Sequence, residues 1–241
     1  MASIKEAFNE VFQDDNSLVK SIILAIPLYF CVNAYINGSK EEMAGLWWLY
    51  ILTYLLLFGF FMKCTANVRN TESYVLPSLN IFELIWNGFK GTLALGPSIA
   101  INSYIAYFLC DLAAKHLPAS VVLTVFQAVI KCIFASIVLT GYMCFSRKFK
   151  ISDAYNLKAI SKSSADIMIA TLFMIPQLIL ASAILLLPGC FLLWLFWGPW
   201  YPISVYYYSL VFVITLAMAA HYLAQIDFET IDREDEETEI F

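Results

Sequence analysis

From Leu18 to Gln225 the chain alternates long apolar runs with short polar connections. An apolar run of about 20 residues covers a hydrocarbon core of about 30 Å when it is helical. Six such runs predict six spans, at residues 18–36, 43–62, 91–112, 119–144, 165–188 and 204–225. Lipid offers no partner to backbone N–H and C=O groups, so a crossing must be helical or part of a closed barrel. The period-two alternation that barrel strands of about 10 residues would show is absent. The predicted fold class is therefore an all-α membrane protein with six transmembrane helices. The end of the fifth run is poorly marked. Apolar residues continue through Phe191, Leu195 and Trp197, and Pro188-Gly189 predicts a break into a span and an interfacial or re-entrant piece over 189–200.

A finer periodicity lies in the polar punctuation. Three 17-residue stretches end in proline: VFQDDNSLVKSIILAIP (11–27), IFELIWNGFKGTLALGP (81–97) and ISKSSADIMIATLFMIP (160–176). The first two share Phe12 with Phe82 and Lys20 with Lys90; the third lacks both. Each stretch leads into a pair of spans, which predicts one polytopic domain over 1–225 made of three helical hairpins, about 3–72, 73–150 and 151–225. Each hairpin is preceded by an amphipathic segment expected to lie along the cytoplasmic interface. In the first, Ile4, Phe8, Val11 and Phe12 form the apolar face. In the second, Phe82, Ile85, Trp86 and Phe89 share one helical face while Asn80, Glu83, Asn87 and Lys90 share the other. The third sets Ile151, Ala154 and Tyr155 against Asp153 and Lys158. Ser3 with Glu6, and Asn80 with Glu83, have the spacing of reciprocal N-terminal capping pairs.

Composition agrees with this pattern. Of 241 residues 61% are hydrophobic and 14% charged, against an apolar share of about 45–50% in soluble domains. With the N-terminus inside, Lys5, Lys20, Lys63, Arg69, Lys90, Arg147, Lys148, Lys150, Lys158, Lys162 and Arg233 fall on the cytoplasmic side, and Lys40 and Lys115 fall outside. That bias predicts both termini in the cytoplasm of a prokaryotic inner membrane. Glu6, Glu10, Asp14 and Asp15 are unlike a cleavable signal peptide, so the first span is expected to serve as an uncleaved signal. Trp47, Trp48, Trp197, Trp200 and Tyr201, with Tyr206 to Tyr208 close by, crowd the outer boundary as an aromatic belt. The tail 226–241 carries eight carboxylates and one arginine. It is expected to be solvated and disordered, and it suits neither anionic lipid nor nucleic acid.

The segment YVLPSLNIFELIWNGFKG, with Leu76-Pro77 before the amphipathic stretch and Gly88 at the entrance to a span, resembles the signature of an uncharacterised prokaryotic family of polytopic membrane proteins, a domain of unknown function. KFKISDAYNLKAI (148–160) is similar to that family's second cytoplasmic segment. The likeness covers most of the chain. It extends to the membrane region attached to some glycerophosphodiester phosphodiesterases, whose catalytic domain has no counterpart in these residues. The resemblance implies a polytopic helical fold and carries no activity with it.

One residue stands out within the spans. Lys131 lies about twelve residues, or about 18 Å of helix, from the outer start of the fourth run. A turn centred near Lys115 sets Lys131 level with Ile99, near Ser98, Asn102 and Ser103. Gln127 lies four residues before it on the same face, and Gln177 follows Pro176 in the fifth run. These six residues, Ser98, Asn102, Ser103, Gln127, Lys131 and Gln177, form a candidate intramembrane polar seam. A mid-span charge costs at least about 2.5 kcal/mol on insertion scales, and its default reading is functional. The competing reading is a structural lysine that snorkels or is satisfied by its neighbours; interhelical polar contacts of about 0.6 kcal/mol would only partly offset the burial.

Other chemistry is thin. Asp111 and Asp166 sit near opposite ends of their spans, which disfavours a proton relay with Lys131. His116 and His221 are too far apart in the pattern to suggest a metal site. The six cysteines form no CxxC pair and read as small hydrophobes. No GxSxG, P-loop or paired carboxylates mark a catalytic centre. The expected role is non-enzymatic and free of cofactors and metals: a scaffold or accessory subunit that packs with membrane lipids, a protein partner or further copies of itself. The alternative is a small transporter or lipid-handling protein that uses the seam around Lys131.

Overall fold

The computed structural model describes residues 4–70, 74–116 and 121–227, with the side chains of Lys40, Glu42, Arg147 and Asp227 left aside. The described chain is helical almost throughout. A short helix α1 (Ile4–Val11) leads to α2 (Ser17–Asn37), a short α3 (Lys40–Gly45), α4 (Trp47–Arg69), α5 (Ile81–His116), α6 (Val121–Lys148), a 3₁₀ turn (Ile151–Tyr155), α7 (Leu157–Phe196) and α8 (Pro202–Asp227). Six of these helices, α2 and α4–α8, are long and apolar enough to cross a membrane, in agreement with the six runs read from the pattern. The chain is an integral membrane protein by this measure.

Two helices are longer than expected. The amphipathic stretch around Phe82 and Trp86 is the first part of α5, which continues unbroken from Ile81 to His116. Asn80 caps it, accepting a hydrogen bond from the Glu83 amide at 3.3 Å. The reciprocal arm of the expected capping box goes elsewhere, because the Glu83 carboxylate pairs with Lys63. Ser3 of the other capping pair and the tail beyond Asp227 lie outside the described residues. Likewise α7 runs through Pro176 and Pro188-Gly189 to Phe196, so the expected break at 188–189 does not occur. A proline ring removes one N–H and leaves the carbonyl four residues earlier without its donor, which here is Ile184. The Tyr207 hydroxyl donates to the adjacent Leu185 carbonyl, and its ring lies where a side chain on Gly189 would be. In α2, the Tyr206 hydroxyl donates at 2.8 Å to the Ile22 carbonyl, beside the Ile23 carbonyl that Pro27 leaves open. Hydroxyls on a neighbouring helix thus supply polar partners where prolines thin the ladder.

The helices divide into two compact units. The first takes the described residues up to Phe89 together with Met174–Gln225, and the second takes the described residues of Lys90–Phe173 with Ile226 and Asp227. In the first, Leu24 and Ala25 of α2, Leu56 and Phe60 of α4, Leu84 of α5 and Val213, Ala217 and Met218 of α8 form one core. Ala7 and Val11 of α1 are buried in it, and so are Val75 and Leu76 of the connection before α5. Helices α2 and α4 pack directly, with the Cys31 thiol on the Thr53 hydroxyl at 3.3 Å and the Tyr50 hydroxyl on the Cys31 carbonyl at 3.2 Å. Where α4 meets the start of α5, both helices carry glycine. A Cβ on Gly59 would overlap the Leu84 carbonyl, and one on Gly88 would overlap the Leu55 carbonyl. Small residues at such crossings let helix backbones touch, which is how helices associate where the surroundings are as apolar as the side chains.

The second unit is more thinly packed in one half. Ala106 and Cys110 of α5 meet Ile130 of α6, with Leu109 and Phe134 beside them. Further along α6, Thr140 to Ser146 are all buried, and Gly141 faces the Ala154 carbonyl of the 3₁₀ turn at 2.8 Å from a notional Cβ.

Overpacking costs about 1–3 kcal/mol where neighbours can yield and more against backbone. Gly59→Val and Gly88→Val are each expected to lower the thermal midpoint in mild detergent by at least about 5 °C. Gly96→Ala, in a part of α5 with open space around it, is expected to leave the midpoint unchanged or slightly raised, as helix propensity favours alanine.

Candidate functional site

The predicted seam is spread over both units. Ser98, Asn102 and Ser103 on α5 and Gln127 and Lys131 on α6 belong to the second unit, while Gln177 on α7 belongs to the first, where it is half-buried. Asn102 turns onto its own helix, donating to the Ser98 carbonyl at 2.8 Å and to the Ser98 hydroxyl at 3.2 Å. Ser103 is exposed. Gln127 clasps α5: its amide donates to the Cys110 carbonyl at 3.3 Å, and the Cys110 thiol points at the Gln127 carbonyl at 3.9 Å. Lys131, one turn further along α6, is exposed and takes no hydrogen-bond or ion-pair partner among the described residues. Its surroundings are apolar, with Phe126, Val129 and Ile133 also exposed.

A second polar group forms at one end of the first unit. Lys20, in the first turn of α2, pairs with Asp14 at 2.5 Å and donates to the Leu76 carbonyl at 3.3 Å. Lys63, near the end of α4, pairs with Glu83 of α5 at 2.6 Å. One turn beyond Lys63, the Asn67 amide donates to the Tyr74 and Val75 carbonyls at 3.3 and 3.2 Å. The connection 74–78 is thus held by side chains that collect its carbonyls, and its apolar residues Val75 and Leu76 are buried. Between these elements lies an open cleft of about 370 Å³ lined by Lys20, Lys63, Asn67, Tyr74, Leu76 and Ser78 among others. Sequence reasoning assigned both lysines to the cytoplasmic charge bias, and Lys63 to nothing else. The match of Lys20 with Lys90 in the repeat was a signal for Lys20; nothing in the pattern linked it to Lys63.

His221 of α8 is nearly fully buried and shares a hydrogen bond of 2.7 Å with the Glu10 carboxylate of α1. Its Nδ1 is buried without a partner. The contact ties the short α1 to the last helix. Among the described residues, no three His, Cys, Asp or Glu side chains converge as metal ligands would.

Comparison with family models, with curated proteins and with solved structures gave no match.

The Asp14 carboxyl is the group with the clearest electrostatic consequence outside the spans. Burial alone would raise its pKa. The hydrogen bond from Lys20, a second from the Asn16 amide at 2.9 Å and the Lys20 charge outweigh that, and hold the carboxyl below its ordinary range. A carboxyl depressed in the folded state binds its proton more readily when unfolded. Its stabilisation is therefore complete above the unfolded value, near pH 4, and is lost as pH falls through the folded one. Asp14→Asn is expected to lower stability at pH 7, and the gap to the wild type is expected to close as acid unfolding curves are followed below about pH 4.

Proposed function

We propose that this chain is a non-enzymatic membrane subunit that packs against a protein partner through the second unit, with Lys131 at the centre of the contact. The observation that carries the reading is the exposed, unpartnered ammonium of Lys131 on an otherwise apolar stretch of α6. Holding such a charge toward lipid costs at least about 2.5 kcal/mol. A carboxylate or a set of carbonyls from a neighbouring helix offsets that cost.

The surrounding surface supports the same reading. Over the first half of α6 and the facing part of α5, the inward contacts are small: Ala106, Cys110, Ile130 and the Gln127 clasp. Ile101, Tyr104, Tyr107 and Phe108 of α5 and Val121, Val122, Val125 and Phe126 of α6 are exposed. In the most apolar stretch of α6 only 11% of residues are buried, against 50% in α4 and α8 and 0% in α7, so α6, like α7, has far more side-chain surface left for lipid or a neighbour. Of the seam residues, Asn102 is bonded to Ser98 and Gln127 to the Cys110 carbonyl, and Lys131 is the one that carries a charge without a partner among the described residues. The resemblance to the family of unknown function adds no activity, so the proposal rests on these residues.

A photo-crosslinking residue at Val129, in intact membranes, is expected to give a discrete protein adduct that Lys131→Met weakens by about tenfold while insertion and thermal stability stay unchanged. An adduct at twice the chain mass identifies a second copy as the partner. Adducts to lipid alone, indifferent to Lys131→Met, overturn the proposal. Rapid modification of Lys131→Cys by a water-soluble thiol reagent would speak instead for a transport path.

A further inference from the structure

The cleft beside the 74–78 connection is a second, separate feature of the molecule, and its chemistry points to a ligand. We infer that it binds a phosphate-bearing anion, with Lys20 and Lys63 as the donors that recognise it.

An ammonium has three N–H donors and no acceptor. Lys20 spends two of its donors, on Asp14 and on the Leu76 carbonyl, and Lys63 spends one, on Glu83. Three N–H groups are therefore left over, and both side chains line the cleft. The two paired carboxylates, Asp14 and Glu83, are not part of its lining. The side chains of Lys20 and Asp14 are only 17% and 7% exposed, so the pair is ordered before any ligand arrives. Ser78 adds a hydroxyl that makes no hydrogen bond among the described residues, and it is exposed at the cleft. A tetrahedral oxyanion accepts several such charge-assisted bonds at once, which a neutral ligand cannot do.

The position of the cleft matters equally. Lys20 begins one candidate span and Lys63 and Asn67 are in the last two turns of another, so the cleft lies where these spans end. In a bilayer, spans that cover the hydrocarbon core end close to the lipid phosphates. Beside Lys20, the apolar Leu18, Val19, Ile22 and Ile23 of α2 are exposed and offer a surface for acyl chains running away from a headgroup. A soluble phosphate would meet the same donors without using that surface.

The test uses the full chain in a neutral detergent, with thermal midpoint read against added phosphatidylglycerol, diacylglycerol lacking phosphate, or inorganic phosphate. Phosphatidylglycerol is expected to raise the midpoint of the wild type and of Lys63→Arg at concentrations about tenfold lower than those needed by Lys63→Gln. Ser78→Asp, which removes no contact and places a negative charge at the cleft, is expected to weaken the response equally. That variant keeps the test decisive if Lys63→Gln folds poorly. A matching response to inorganic phosphate assigns the site to a soluble phosphate compound; a response to the lipid alone assigns it to a headgroup. The inference is overturned if diacylglycerol stabilises as well as phosphatidylglycerol, if no phosphate-bearing probe raises the midpoint, or if Ser78→Asp responds like the wild type.

Discussion

The backbone contact between Gly59 of α4 and Gly88 of α5 is the constraint on which the first unit depends. In lipid, apolar side chains gain little by leaving the solvent, so close packing and polar contacts must hold helices together. At this crossing the two backbones meet without side chains between them. The register is antiparallel: Gly59 lies against Leu84 and Gly88, and Leu55 against Gly88. One turn further along α4 this register delivers Lys63 to Glu83. A further turn brings Asn67 to the carbonyls of Tyr74 and Val75, so the polar cleft inherits its geometry from two residues that have no side chains.

The two units differ in where they spend their polar groups. The first uses them between elements that are distant in sequence: Lys20 to Leu76, Tyr206 to Ile22, and His221 to Glu10. The second, along α5 and the first half of α6, uses them mainly on the helix itself or on its immediate neighbour, as with Asn102 on Ser98 and Gln127 on Cys110. Apolar surface there is turned outward. In water that would be a liability; in a bilayer it is neutral toward lipid and available to another helix.

The number of spans was legible because hydrocarbon thickness imposes one length on every crossing. Their ends were less so. Pro188 is a strong breaker in water, but in an apolar setting the alternative to a continuous helix is exposed backbone, and Tyr207 supplies a donor beside the weakened turn. Phe82, Ile85, Trp86 and Phe89 share a helical face in the pattern, yet pattern alone does not say whether such a face ends a helix or begins a longer one. Gly88 was noticed as part of a resemblance; its physical role needed its opposite number, Gly59, 29 positions earlier. Gln127 shares a helical face with Lys131, but an amide that reaches the Cys110 carbonyl is committed elsewhere, and sequence spacing within one helix carries no information about that choice. Glu83 shows the same limit, since it matched a capping box and serves an ion pair.

The contact between Glu10 and His221 joins positions 211 residues apart. A ribosome delivers the first of these long before the second, so α1 is made well before the residue it pairs with. The clasp can close only once the last helix has been made, so this contact between the two ends of the described chain forms after all the helices between them have been synthesised.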